Sequence, residues 1–468
     1  MLKAAVLGVF GGMVAALYGI ASNSPLAIVL AVGVVLVSIE VIVLTKAAGG
    51  FSAVLVPVLA VNSVLLSSMF LWDEIRVDSI VSVRLRVPEE YHIQAAVIGI
   101  VFSFAYTVGA LLAGPQAVRV TLAQVGESIS GLGQSFRIPD GALVITGYAG
   151  IILTIYGRQG GLLQGRYNVI DGPIWAVALS NAIAPLAILA LSIVASKPGP
   201  WRWLAILGIG IWFLLLFARA SRTIAVFPVL LLFARTFTSG AKVRAHSIAL
   251  VIVATVFLMQ LPLVGRANPD GVGIIPLTQQ VIFRPEEIFS GFSLDGILGN
   301  ILFSGPLTGV VANRQIPLEA LWVGVNPLPG SWAGWGEYKN ALRVDSSTPY
   351  NALGELGAHG WFALVGVAFA VGLLLALSTR ISSRLEGAYA LAASLLVLGI
   401  TVFFSVSILQ YNLRSSIRLV WYILGGLGVI WMASIAFKSR EAPSPVDGQL
   451  TNTNSDYSRN QSTEANHI

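Results

Sequence analysis

Cysteine is absent from all 468 residues, which excludes disulfides, thiolate nucleophiles and Cys-ligated metals. Any segment outside a membrane must then fold without covalent staples. Charge is scarce too: Asp, Glu, Lys and Arg make up 11% of the chain, and there are four histidines. Soluble domains carry roughly 25% charged residues, so a soluble globular fold is excluded. Also missing are a P-loop, a dinucleotide-binding glycine fingerprint, an HExxH string, an internal repeat and a Ser-His-Asp signature. No ligand cluster for a metal is visible, and no cofactor is expected. What remains is apolar, with 56% hydrophobic residues and a mean hydropathy of +0.82. The net charge of +6 is the basic excess of cytoplasmic loops, and nucleic acid is not an expected partner.

Twelve apolar runs fall at 4–22, 26–45, 52–72, 93–114, 141–156, 174–196, 203–219, 223–236, 247–263, 360–378, 388–409 and 419–436. At 1.5 Å per residue most are long enough to cross a hydrocarbon core of roughly 30 Å as helices. The expected fold is an all-α membrane protein with about twelve transmembrane helices and one large extracytoplasmic loop containing short helices. Helices one to nine fall in 1–263, the loop in 264–359, helices ten to twelve in 360–436, and a disordered cytoplasmic tail in 437–468. The first run resembles a signal peptide, but a second follows at once, as in a helical hairpin. Lys3, Lys46, Arg119, Arg137, Lys197, Arg202, Lys242, Arg244, Arg380, Arg384, Lys438 and Arg440 then share one side, which the positive-inside rule makes cytoplasmic, with both termini. Within the loop, "EEIFSGFSLDGILGNILFSG" spaces Phe289, Phe292, Ile297, Ile301 and Leu302 as a helix lying on the bundle or in the interface.

Three constellations stand on the opposite side. Arginines come first: Arg158 and Arg166 in "YGRQGGLLQGRYNVIDGP", Arg219 and Arg222 in "ARASRT", Arg266, Arg284, Arg314 and Arg343 in the loop, and Arg414 and Arg418 in "QYNLRSSIR". A guanidinium grips phosphate bidentately at any working pH. Snorkelling to lipid headgroups, or pairing with an acid, accounts for a single arginine at a helix end equally well. Arg222 differs because it sits between two apolar runs with almost no loop to hold it, where charge is costly unless used or paired. Second, "EALWVGVNPLPGSWAGWGEYKNALRV" breaks regular helix with prolines and glycines and offers Trp332, Trp335 and Tyr338. Such faces suit sugar rings or interfacial anchoring. Third, "VDSSTPYNALGELGAHGW" sets Asp345, Tyr350, Asn351, Glu355 and His359 just before an apolar run. His92 is the other histidine expected on that face. A partly desolvated carboxylate or imidazole there can act as a general base. The plainer alternatives are Asp345 or Ser346 as a helix cap and His359 as a tolerated interfacial residue.

The order of these features, from "SR" between two runs through "ALWVGVNPLPG" to "PYNALGELGAHGW", resembles the O-antigen polymerase and O-antigen ligase superfamily over residues 203–380. The family's motif, His-Asn followed by Glu-x-Gly-x-x-Gly before a transmembrane helix, falls on Asn351, Glu355, Gly357 and Gly360, with Tyr350 in place of the histidine. The resemblance implies a metal-independent glycosyltransferase of the bacterial cytoplasmic membrane, acting on polyprenyl-diphosphate-linked oligosaccharide, with membrane lipid around it and a chain-length regulator as a candidate partner protein. It implies catalytic roles for Arg222 and Arg314, with Glu355, His359 and Tyr350 as further candidates. Substrate binding would fall to Arg158, Arg166, Arg219, Arg284, Arg343, Asn351, Trp332 and Trp335. A phenol with a pKa near 10 is a poor base at neutral pH, so Tyr350 tilts the expectation from ligase to polymerase, with His359 as the displaced base. A flippase-type transporter and a peptidoglycan-type polymerase are the remaining alternatives.

Overall fold

A chain placed in hydrocarbon must satisfy its own backbone N–H and C=O groups, and a helix does so within one segment. The computed structural model describes residues 2–438 apart from 23, 49–51, 73–86, 115–138, 159–161, 166–171, 240–246, 248–249, 252, 256, 259–260, 263–270, 287–297, 300, 329, 331, 345–348 and 386. Among the described residues there are helices and no strand, with one isolated bridge between Gly165 and Val272. The tail expected after 437 falls almost wholly outside them.

The first half contains α1 (Leu2–Ala21), α2 (Pro25–Ala48), α3 (Leu55–Leu71), α4 (Glu89–Leu112), α5 (Asp140–Arg158), α6 (Ile174–Ala195), α7 (Arg202–Ala218), a 3-10 turn (Arg222–Val226) and α8 (Phe227–Ser239). Short helices follow: α9 (Ile274–Phe283), α10 (Ser304–Ala312), α11 (Leu318–Val325), the single turn α12 (Trp335–Tyr338) and α13 (Ala352–Ala358). Three long helices close the chain, α14 (Trp361–Ser382), α15 (Gly387–Gln410) and α16 (Leu413–Lys438). Each apolar run of the sequence has a helix over it except 247–263, where the described residues are scattered helical positions. Among the described residues six helices, namely α2, α4, α5, α14, α15 and α16, are long and apolar enough to cross a membrane. The chain is an all-α, multi-pass membrane protein.

Two cores organise the helices. The larger joins α1–α4 to α10 and α13–α16 around Val58, Leu65, Phe102, Tyr106, Leu353, Leu356, Phe404 and Ile423. The smaller joins α5–α8 around Ile151, Leu191, Trp212, Leu216 and Phe227, with α9 against α7. Helix ends that the charge pattern assigned to one side do meet: Arg380 donates to the Ala113 carbonyl at 3.3 Å, and Lys197 pairs with Asp140 at 3.1 Å. The helix expected across 289–302 lies mostly outside the described residues. Its end, Leu302, is buried with Trp72 and Phe303 on the bundle.

Helices α4 and α14 approach backbone to backbone. In lipid there is little hydrophobic drive between helices, so small residues that let backbones approach carry the association. A Cβ at Gly109 would collide with the Phe369 carbonyl, and one at Gly372 with the Tyr106 carbonyl. Gly109→Ala or Gly372→Ala should therefore lower stability by about 1–3 kcal/mol or more, as overpacking does. Gly399→Ala in α15, where no atom lies within 4 Å of the added methyl, should be neutral or stabilising by up to about 1 kcal/mol. Thermal unfolding of the three variants in detergent checks the contrast.

Candidate functional site

The motif residues form the N-terminal turn of α13. Asn351 is its cap, as a residue with a short side-chain oxygen acceptor should be: Oδ1 accepts the Gly354 N–H at 2.7 Å. Its Nδ2 donates to the Leu409 carbonyl at 2.9 Å and the Ser304 carbonyl at 3.3 Å. Thr308 Oγ1 adds a bond to Oδ1 at 3.1 Å. The side chain is fully buried and ties α10, α13 and the end of α15 together. Asp345 and Ser346, the alternative helix caps, lie outside the described residues.

One turn on, Glu355 is 2% exposed. Its Oε2 accepts the Leu413 N–H at 3.0 Å, satisfying one of the free donors at the start of α16, while Oε1 is buried with no hydrogen-bond partner. Burial pushes the carboxyl up to about 8, against the smaller opposing effect of the Leu413 N–H. His359 is the C-cap of α13, and its backbone N–H donates to the Glu355 carbonyl at 3.3 Å. Partial burial lowers the pKa of its imidazole, which keeps the ring neutral at neutral pH. Gly360, at φ +90°, makes the turn into α14 in a conformation that favours glycine. His92 is buried in the first turn of α4.

Immediately before Asn351 four other candidates come together. The Arg343 guanidinium sits 4.8 Å above the Tyr350 ring, within cation–π range. Trp335 packs on the same ring, with centroids 6.0 Å apart at 51°. Arg314 Nη1 donates to the Arg343 carbonyl, and Tyr350 Oη donates to the Lys339 carbonyl at 3.3 Å. Trp332 stands out from this group, largely exposed.

Arg414 borders the cluster, since a Cβ at Gly330 would lie 3.4 Å from Trp335 Cβ and 3.6 Å from Arg414 Nε. Its Nη atoms donate to the Val323 and Leu328 carbonyls, and its Nε is buried without a hydrogen-bond partner. Arg418 Nη2 reaches the same Leu328 carbonyl at 3.3 Å. The sequence places both arginines in the outer-side set without giving either a role in the site, and its last apolar run starts only at Leu419. The helix begins at Leu413, capped by Asn412, whose Oδ1 accepts the Ser415 N–H at 2.7 Å. The spacing of Asn412, Arg414 and Arg418 was the available signal.

A second collection lies with the smaller core. Arg158 ends α5, Arg219 is the C-cap of α7, and the positive charge of Arg158 acts on Arg219. The chain then turns through Ala220, whose φ of +46° is costly for a residue with a Cβ. The Ser221 N–H closes α7 on the Leu216 carbonyl at 2.9 Å, and Arg222 opens the 3-10 turn. The very short connection expected at "SR" is therefore present, with Arg222's side chain outside what is described. Arg284 is the exposed C-cap of α9, and Arg166 falls outside the described residues. The candidates thus divide between two cores. Among the described residues no three His, Asp or Glu side chains converge as a metal site would require.

No protein-family model matches the chain, and no curated protein or solved structure matches it either.

Between pH 4.5 and about 8 the folded protein keeps a proton on Glu355 that an unfolded chain has lost, so stability should fall as pH rises through that window. His359, lowered from 6.5, acts in the opposite sense, its contribution falling as pH drops below that value. Glu355→Gln keeps an oxygen for the Leu413 N–H and cannot ionise. The fall in melting temperature from pH 5 to pH 8 should be flattened in the variant relative to wild type, and parallel pH profiles would count against the assignment.

Proposed function

We propose that the chain is a membrane glycosyltransferase of the polysaccharide-polymerase type. It would have twelve spans, both termini in the cytoplasm, and its site at the outer face of a bacterial cytoplasmic membrane. The observation that carries this reading is the gathering of Arg314, Arg343, Trp335 and Tyr350 beside Arg414 and Arg418, where the motif segment meets the first turns of α14 and α16. Cations and flat aromatic faces at one membrane boundary suit a lipid-borne diphosphate joined to sugars.

In the reaction, a sugar hydroxyl of one lipid-linked unit attacks the anomeric carbon of another. The bond from that carbon to the phosphate oxygen breaks, a glycosidic bond forms, and polyprenyl diphosphate leaves. Arginines offset the charge that develops on the leaving group, a task for preorganised electrostatics. Arg158, Arg219 and Arg222 supply further cations, and Trp332 and Trp335 supply faces for sugar rings. His359, neutral and partly buried, is the base in this reading. Asn351 and Glu355, both buried, act by holding α13 against α15 and α16, and the Tyr350 hydroxyl is engaged with the Lys339 carbonyl.

One observation favours a second reading, a transporter. Glu40 lies in the interior of α2, 4% exposed, with Ser103 Oγ donating to its Oε1 at 3.3 Å. An acid inside a span marks an ion or substrate path by default. Deleting the gene in its host and running surface glycan on a gel separates the readings. A polymerase leaves a single-repeat band in place of a ladder, a ligase leaves polymer that is not attached, and an unchanged ladder rejects both. Arg222→Ala should abolish chain growth at normal protein level, and retained growth would remove that residue from the site.

A further inference from the structure

The segment "ALWVGVNPL" was read as part of a loop outside the membrane, yet its contacts are with a membrane span. Helix α11 buries Ala320, Val323 and Gly324, and its tightest neighbour is Leu413 at the start of α16, since a Cβ at Gly324 would lie 2.9 Å from Leu413 Cδ2. Its opposite side shows Leu318 and Trp322, which are 69% and 68% exposed. Positions four apart share one helix face, so this is a continuous apolar strip. Glu319 is the one charged residue of the helix.

We propose that α11 is an interfacial helix, with the Leu318–Trp322 face seated among the acyl chains of the leaflet that borders the first turns of α14 and α16.

Two independent observations support lipid rather than water or protein as the occupant. The first is the treatment of the helix's C-terminal end. The last carbonyls of a helix lack intrahelical partners, and in water they are simply hydrated. Here side chains from the span take them. Arg414 donates to the Val323 carbonyl, and Trp421 Nε1 donates to the Val325 carbonyl at 3.1 Å. Just past the helix, Arg414 and Arg418 share the Leu328 carbonyl. Backbone that ends at membrane depth requires such partners, because no water reaches it.

The second is continuity with surface that already faces lipid. Trp421 lies two turns into α16, about 12 Å along its axis from Leu413, and its indole leans back toward the helix start. Trp421 and Tyr422 are both exposed and lie in the N-terminal half of that span. That is the position of an interfacial aromatic belt. Trp361 and Phe362, the latter 98% exposed, form the matching edge of α14, on the same side because Glu355 just upstream bonds Leu413. The strip on α11 extends this belt sideways. Amphipathic helices of this kind bury their apolar face roughly 5–10 Å into the headgroup and acyl boundary.

The absence of cysteine lets single nitroxide labels test the placement directly. Leu318→Cys, Trp322→Cys, Glu337→Cys and Val429→Cys, each labelled in the full chain in phosphatidylethanolamine–phosphatidylglycerol vesicles, are compared by power-saturation EPR with oxygen and with a water-soluble nickel chelate. Glu337 is exposed on α12 and serves as the aqueous reference, and Val429, exposed on α16, as the lipid reference. Labels at 318 and 322 should fall between the two references, because the interface is shallower than position 429, with nickel accessibility severalfold lower than at 337 and oxygen accessibility higher. Nickel accessibility like that at 337 overturns the proposal in favour of an aqueous cleft. Low accessibility to both reagents overturns it in favour of a protein partner, such as a second copy. Both labelled positions are exposed, so neither substitution empties the core, and the two report independently.

Discussion

The polar knot around Asn351 and Glu355 is the constraint on which the functional end of the molecule depends. Buried polar groups in apolar surroundings cost several kcal/mol when left without partners, and the end of α15 and the start of α16 present two such backbone groups to the interior. Asn351 takes the Leu409 carbonyl and Glu355 takes the Leu413 N–H. Because both acceptor and donor side chains belong to one short helix, α13 is fixed in position and rotation against three neighbours at once. The Arg343–Tyr350–Trp335 stack is joined directly to that helix and inherits its placement.

The same logic governs the arginines. A guanidinium near hydrocarbon must find acceptors, and Arg414 finds backbone carbonyls of α11 and of the turn after it. Carbonyls leave its charge in place, whereas a carboxylate would cancel it. Arg414 is 3% exposed, so that charge acts on its surroundings through its field rather than by direct contact.

Much of the helical framework was legible in the sequence because hydropathy and length suffice for membrane helices. The break at "ARASR" was legible for the same reason, since two apolar runs cannot be continuous across two arginines. Within the motif, Asn351 and Glu355 stood out as polar residues before a span, but their tasks did not. Their partners, Leu409 and Leu413, lie far along the chain and contribute backbone atoms, which carry no sequence signature. The start of α16 was misplaced because Arg414 and Arg418 read as loop, whereas the helix holds them by pairing their side chains with α11. The contact of α4 with α14 was equally hidden, since Gly109 and Gly372 look like any other small residues until their neighbours are known.

The cross-links made by Asn351 and Glu355 also bear on how the protein is made. Asn351 and Glu355 precede residues 409 and 413 in synthesis, so until the last two helices are in place the Glu355 carboxyl lacks its Leu413 partner and the Asn351 amide has only Gly354, Ser304 and Thr308. A polypeptide cut short before α16 would leave the Glu355 carboxyl with no partner for either oxygen, a cost of several kcal/mol in apolar surroundings.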